Sequence, residues 1–244
     1  VEVSRDSYKT KNTWVSLEKK KDKRIEIGLQ PLRASADRSP YALNKPKIIE
    51  NKTKPPTPNS KREYTALLSE SFSNNSFRWP VGSKNERDIK IRNGKYYFRH
   101  KQDKKGYTIS KEIKGFNAHS NFKIHMTAKH LSGIVNNGFG IVWGKKGNSS
   151  HHFRISANGH FKLAKNDNGK FIDISGWKKS SKINKNMRLN RLSVEKRGNT
   201  LYCYINGAKV YQTKFEPFAG NRVGVRIDNK QAVEFDNIIV KVEQ

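Results

Sequence analysis

The sequence predicts an all-β protein whose strands form two antiparallel sheets packed face to face. Three observations point there. Apolar residues alternate with polar ones over segment after segment, the period of two expected of a strand buried on one face. Turn chemistry, Asn-Gly above all, separates these segments at intervals of roughly 8–12 residues, which gives about a dozen strands. No stretch carries a convincing helical period. Two facing sheets bury that many alternating strands most simply.

Residues 1–64 do not read as part of the sheets. They hold the charge run KKKDKR at 19–24 and the Pro-rich run KTKPPTPNSKR at 52–62, with apolar residues too scattered to close a core. The expectation is an extended basic arm ending in a linker. Trp14, Ile25, Ile27 and Leu29 are its candidate anchors on a larger protein assembly.

The β domain is expected over residues 65–244. It opens at Leu67–Phe72 and continues through Asp88–Arg92, the turn Asn93-Gly94 and Tyr96–His100, a clean hairpin. Tyr107–Ile109 and Phe122–Ala128 lead into a central meander from Gly138 to Asp173. There Phe139, Ile141 and Trp143 share one face. After Gly147-Asn148, His151, Phe153 and Ile155 share another; after Asn158-Gly159, Phe161 and Leu163 follow, and Asn168-Gly169 turns the chain again. Asn190–Lys196, Leu201–Ile205 and Val210–Thr213 form a second meander through Gly198-Asn199 and Asn206-Gly207. Val223–Ile227 and Val233–Val240 close the domain. Cys203 shares the phase of Leu201 and Ile205 and reads as a small core residue. As the single cysteine it forms no intramolecular disulfide.

In order, the strings SFSNNSFRW, IRNGKYYFRH, NFKIHMTAKHLSG, NGFGIVWG, HHFRISANGHFKLAK, NRLSVEKRGNTLYCYINGAKV and VGVRIDNKQAVEFDNIIV resemble the concanavalin A-like lectin/glucanase jelly rolls. The likeness is greatest to uncharacterised bacterial members attached to varied enzymes, regulators and surface proteins, and it spans roughly residues 67–242. It implies a two-sheet jelly-roll sandwich, with Trp79 and Trp177 in packing positions, Tyr96 and Phe98 facing the core, and Asp236 in a structural turn. It also implies a bacterial cell envelope, periplasmic or surface, as the setting.

Charge narrows the partners. The chain carries a formal +29; residues 1–64 contribute 16 Lys/Arg against 8 Asp/Glu, and residues 65–244 contribute 34 against 13. The folded part is therefore basic too, and favours an anionic polysaccharide, a nucleic acid or an acidic assembly. A retaining glycosidase needs two carboxylates about 5 Å apart, and the fold's usual Glu-x-Asp-x-x-Glu strand is missing. The lyase pattern Gln-x-His is missing as well. His151 and His152 point to opposite faces, so they cannot hold one ligand or metal together. Asn166-Asp167-Asn168-Gly169 reads as a turn rather than a calcium loop. The expectation is a non-catalytic binding or structural module without cofactor or metal. The alternatives are a carbohydrate-active enzyme of the same fold and a nucleic-acid-bound component. The best candidate ligand surface is the polar phase of the central meander, His152, Arg154 and Lys162, on the concave sheet. No apolar run reaches transmembrane length.

Overall fold

The computed structural model describes residues 63–244. The predicted anchors Trp14, Ile25, Ile27 and Leu29 lie outside the described residues. Among those described, the secondary structure is sixteen strands. The first five are β1 (Tyr64–Glu70), β2 (Gly82–Lys84), β3 (Arg87–Arg92), β4 (Lys95–His100) and β5 (Gly106–Glu112). The central group is β6 (Phe122–Gly133), β7 (Gly138–Lys146), β8 (Ser149–Ser156), β9 (His160–Asp167), β10 (Lys170–Asp173) and β11 (Lys178–Lys179). The last are β12 (Leu189–Arg197), β13 (Thr200–Ile205), β14 (Ala208–Lys214), β15 (Arg222–Asp228) and β16 (Gln231–Glu243).

They form two antiparallel sheets, the jelly-roll sandwich of lectin-like domains. The nine-stranded sheet runs β14-β13-β12-β6-β16-β4-β3-β2, with β1 added along β16, and the seven-stranded sheet runs β10-β9-β8-β7-β15-β5, with β11 added along β9. β16 keeps β6 on one side along its length. On its other side it pairs first with β4, through Gln231–Phe235, and then with β1, through Ile238–Glu243. The change of partner falls at a register shift where Asn237 takes φ 50°, and the Asp236 carboxylate accepts the Asn237 N–H at 2.7 Å.

Three of the four Asn-Gly turns work as the sequence requires; at Asn158-Gly159 only the glycine takes positive φ, at 97°, and Ser156 pairs with His160 across a three-residue turn. Asn93-Gly94, Asn168-Gly169 and Asn206-Gly207 each place two consecutive residues at positive φ, the type I′ geometry that matches the twist of the flanking strands. That geometry fixes the register of β3–β4, β9–β10 and β13–β14. Between the sheets, Trp79, Trp143, Tyr96, Phe98, Phe139, Phe153, Leu163, Cys203, Val225 and Phe235 belong to one buried core. Phe72, Trp79 and Tyr96 pack ring against ring, with centroids 5.0 to 5.6 Å apart. Burial pushes the Cys203 thiol up, so it stays protonated as a core group.

Candidate ligand site

The outer face of the seven-stranded sheet carries the second phase of each strand. Register aligns Thr108, Arg226, Gly140, Arg154 and Lys162 in one row across β5, β15, β7, β8 and β9. Gly140 is the gap in that row, so the guanidinium groups on either side converge on one carboxylate. Arg226 Nε donates to Asp228 Oδ1 at 2.9 Å, and Arg154 Nη1 bonds Asp228 Oδ2. Arg226 also donates to Thr108 Oγ1 at 3.2 Å. A Cβ on Gly106 would run into the Arg226 guanidinium, so the bare backbone there lets that side chain lie flat.

Lys162 ends the row and binds the Asp173 carboxylate at the end of β10. Burial alone would raise the Asp173 pKa, but the hydrogen bonds from Lys162 and the Gly176 N–H outweigh it and hold the carboxyl below its ordinary value. The same carboxylate thereby shapes the loop after β10. Gly176 turns at φ 66° with its N–H on Asp173 Oδ1 at 2.7 Å. Ser175 Oγ accepts the Leu163 N–H at 2.8 Å, and the Leu163 carbonyl accepts the Ile174 N–H at 3.1 Å. The loop therefore hangs on the edge of β9 and delivers Trp177 onto the sheet's outer face. There the ring packs beside Gly138, where an added Cβ would stand 3.1 Å from Trp177 Cη2 and 2.7 Å from Asp228 Oδ2.

The result is a cleft of about 440 Å³. Arg154 and Lys162 line it beneath two exposed rings, Trp177 at 41% and Phe171 at 48% exposure. The Lys162 ammonium stands 5.4 Å from the Trp177 centroid and 5.6 Å from that of Phe171; the Arg154 guanidinium stands 5.8 and 5.7 Å away. Lys104 and Lys105, both exposed, line it from the β4–β5 loop. A second cleft of about 330 Å³ adjoins at Gly106 and is lined by Lys145, Ser150, Asn166 and Arg226.

The structure brings two of the three predicted residues together and takes the third out of reach. Arg154 and Lys162 are direct cross-strand partners. His152 shares their face but is fully buried, with its Nε2 2.8 Å from Ser150 Oγ. Burial, then the positive charges of Arg226 and Arg154, pushes its pKa down to about 2, so it is a neutral support for the floor and no ligand contact. Trp177, expected in a packing position, is instead one of the two exposed rings of the cleft. Sequence showed neither the role of Arg226 nor that Asp228 meets Arg154, because 74 positions of chain separate the last two. The alternation of β15 does put Arg226 on the outward phase. Asn166–Gly169 is the β9–β10 reversal, with the Asn168 N–H on Ser149 Oγ at 2.9 Å. Among the described residues no cluster of His, Cys, Asp or Glu could hold a metal.

No protein-family model and no curated protein matches the sequence. Solved structures do match. A protein of unknown function with a galectin-like fold from Bacillus subtilis aligns over 75% of this chain and 100% of its own, at 11% identity and a TM-score of 0.53. The CBM2 module of the Lactobacillus casei BL23 phage J-1 evolved Dit aligns over 75% and 98%, at 11% identity and a TM-score of 0.50. The GH43 BlXynB protein from Bacillus licheniformis aligns over 72% of this chain and 39% of its own, at 13% identity and a TM-score of 0.51. These likenesses are of fold alone, and the fold serves binding modules and enzymes alike.

Proposed function

We propose that this domain is a non-catalytic recognition module that takes an anionic glycan into the cleft on the outer face of its seven-stranded sheet. One observation carries the reading: two exposed rings, Trp177 and Phe171, stand over the Arg154–Lys162 pair. A pyranose presents an apolar C–H face that stacks on such rings, and its acidic substituent answers the cations around them. Lys104, Lys105, Arg154 and Lys162 face Asp228 and Asp173, so the cleft keeps a positive surplus after its internal pairs are counted. The basic stretch 1–64 adds charge of the same sign toward the same class of partner.

The groups present favour holding over cutting. Both oxygens of Asp228 are engaged by guanidinium groups, which leaves neither placed to attack a sugar or pass it a proton. His125 and Ser193 stand 2.8 Å apart on the outer face of the other sheet, but neighbouring Glu195 is taken by Lys123 and Arg197 rather than orienting that histidine. The test is equilibrium binding of the full chain to polygalacturonate, heparin, dextran and single-stranded DNA. Saturable binding to an acidic glycan, weakened roughly tenfold or more by Trp177→Ala, is the expected result. Equal binding by Trp177→Ala, or preference for DNA, refutes it. Release of reducing ends or of an unsaturated product would replace the module with an enzyme.

A further inference from the structure

At one end of the sandwich three connections meet: residues 134–137 between β6 and β7, 157–159 between β8 and β9, and 180–188 ahead of β12. Backbone hydrogen bonds tie them into one platform. The Asn158 N–H donates to the Val135 carbonyl at 2.9 Å, the Asn186 N–H to the Ala157 carbonyl at 2.8 Å, and the Ser180 N–H to the Gly159 carbonyl at 3.0 Å. Four aliphatic side chains stand out from this end: Ile134 at 60%, Val135 at 43%, Met187 at 57% and Leu189 at 46% exposure. They lie on the rims of the connections, outside the core.

The charged residues of the three connections are all cations. Lys182, Lys185 and Arg188 are exposed in the third connection, and Lys129 is the cross-strand partner of Leu189. Glu234, the partner of Lys129 on its other side, is paired with Arg92. Residues 129–138, 156–160 and 180–191 contain no Asp or Glu. The aliphatic tips and the cations thus share the same loops. No aromatic ring, the usual anchor of a protein interface, stands among the tips.

We propose that this loop end docks the domain on an anionic lipid bilayer. Ile134, Val135, Met187 and Leu189 enter the boundary between headgroups and acyl chains, and Lys129, Lys182, Lys185 and Arg188 lie at the depth of the lipid phosphates. Charge complementarity selects the bilayer over a neutral apolar partner, and aliphatic tips select it over a purely ionic contact with an acidic protein. Asn136 and Asn137 of the first connection also line the glycan cleft, so a bound bilayer would lie beside the cleft. The proposal stands without the glycan reading, because none of its aliphatic or cationic residues lines that cleft.

Cys203 is fully buried, so a cysteine introduced at Met187 can be labelled selectively in the full chain with an environment-sensitive fluorophore. A second version carries the label at Asn199, at the far end of β12. Vesicles of phosphatidylcholine with phosphatidylglycerol should shift the Met187→Cys emission to the blue and leave the Asn199→Cys emission unchanged; pure phosphatidylcholine should shift neither. Without the label, Ile134→Asn combined with Met187→Gln should weaken co-sedimentation with the anionic vesicles roughly tenfold. Three outcomes overturn the proposal. In the first, the chain sediments while the label at 187 stays water-like, which is adsorption through another basic surface. In the second, the label is blue-shifted before any lipid is added, which means that residues 1–62 or a second copy cover the patch. In the third, the double variant binds like the parent. Circular dichroism on each variant separates loss of fold from loss of docking.

Discussion

His151 and His152 share a strand and differ in everything that touches them. His151 faces the core, where its ring stacks on Trp143 at 5.4 Å and neither nitrogen has a hydrogen-bond partner. Burial, helped by the charge of Lys165, pushes its pKa down to about 4, while an unfolded chain titrates near the ordinary value of about 6.5. The folded state therefore resists a proton that the unfolded state accepts. Stability is complete above about pH 6.5 and is lost as the pH falls toward 4. At pH 4.5 this single group costs on the order of 2–3 kcal/mol. Urea unfolding at pH 7 and pH 4.5 checks it: His151→Phe, which keeps the stack and cannot titrate, should reduce the difference between the two pH values by about 2 kcal/mol. An unchanged difference would assign the acid sensitivity elsewhere. His152 shows what alternation alone leaves out. The period of two put it on the right face beside Arg154, but it says nothing of depth. Its cross-strand neighbours are Val142 and Ala164, and the imidazole lies buried beneath the polar surface that Arg154 reaches.

At the scale of an element, strands and loops were legible to different degrees. Asn93-Gly94, Asn168-Gly169 and Asn206-Gly207 announce hairpins because their backbone geometry is local, and register followed from them. Arg154 and Lys162 could be put on the polar phase of successive strands from sequence, but their direct pairing follows from the three-residue 157–159 turn, where only Gly159 takes positive φ and Ser156 pairs with His160. Trp177 was misread because its place is set by the Asp173–Gly176 loop and its hydrogen bonds to β9, which alternation does not encode. The loop supplies its own test. Asp173→Ala removes the partner of Lys162 and the acceptor of the Gly176 N–H together, at a largely exposed site. Trp177 should lose its fixed position while the core stays intact. Affinity for the acidic glycan should drop roughly fivefold to tenfold, with the melting temperature shifted by no more than about 5 °C. If affinity holds, the tryptophan does not depend on this carboxylate.

On the proposed reading the molecule offers a polyanion two kinds of attraction, and ionic strength separates them. The positive field is spread widely, since residues 65–244 alone carry 34 Lys/Arg against 13 Asp/Glu. Such a field steers any polyanion and is screened over about 8 Å at physiological salt. Stacking on Trp177 and Phe171 is short-ranged and nearly indifferent to salt. Glycan affinity plotted against salt should therefore fall steeply and then level off. Removing residues 1–62 should flatten the fall, because the chain then loses 16 Lys/Arg and 7 Asp/Glu. Trp177→Ala should lower the level portion and leave the slope unchanged. Titrations of the full chain, the 63–244 fragment and the Trp177→Ala variant between low salt and about 0.5 M, where the Debye length falls to a few ångströms, measure both quantities. A variant that changes slope and plateau together would place Trp177 in the general electrostatic surface instead of a defined site. A fragment that matches the full chain at every salt concentration would mean that the charge of residues 1–62 acts on some other partner.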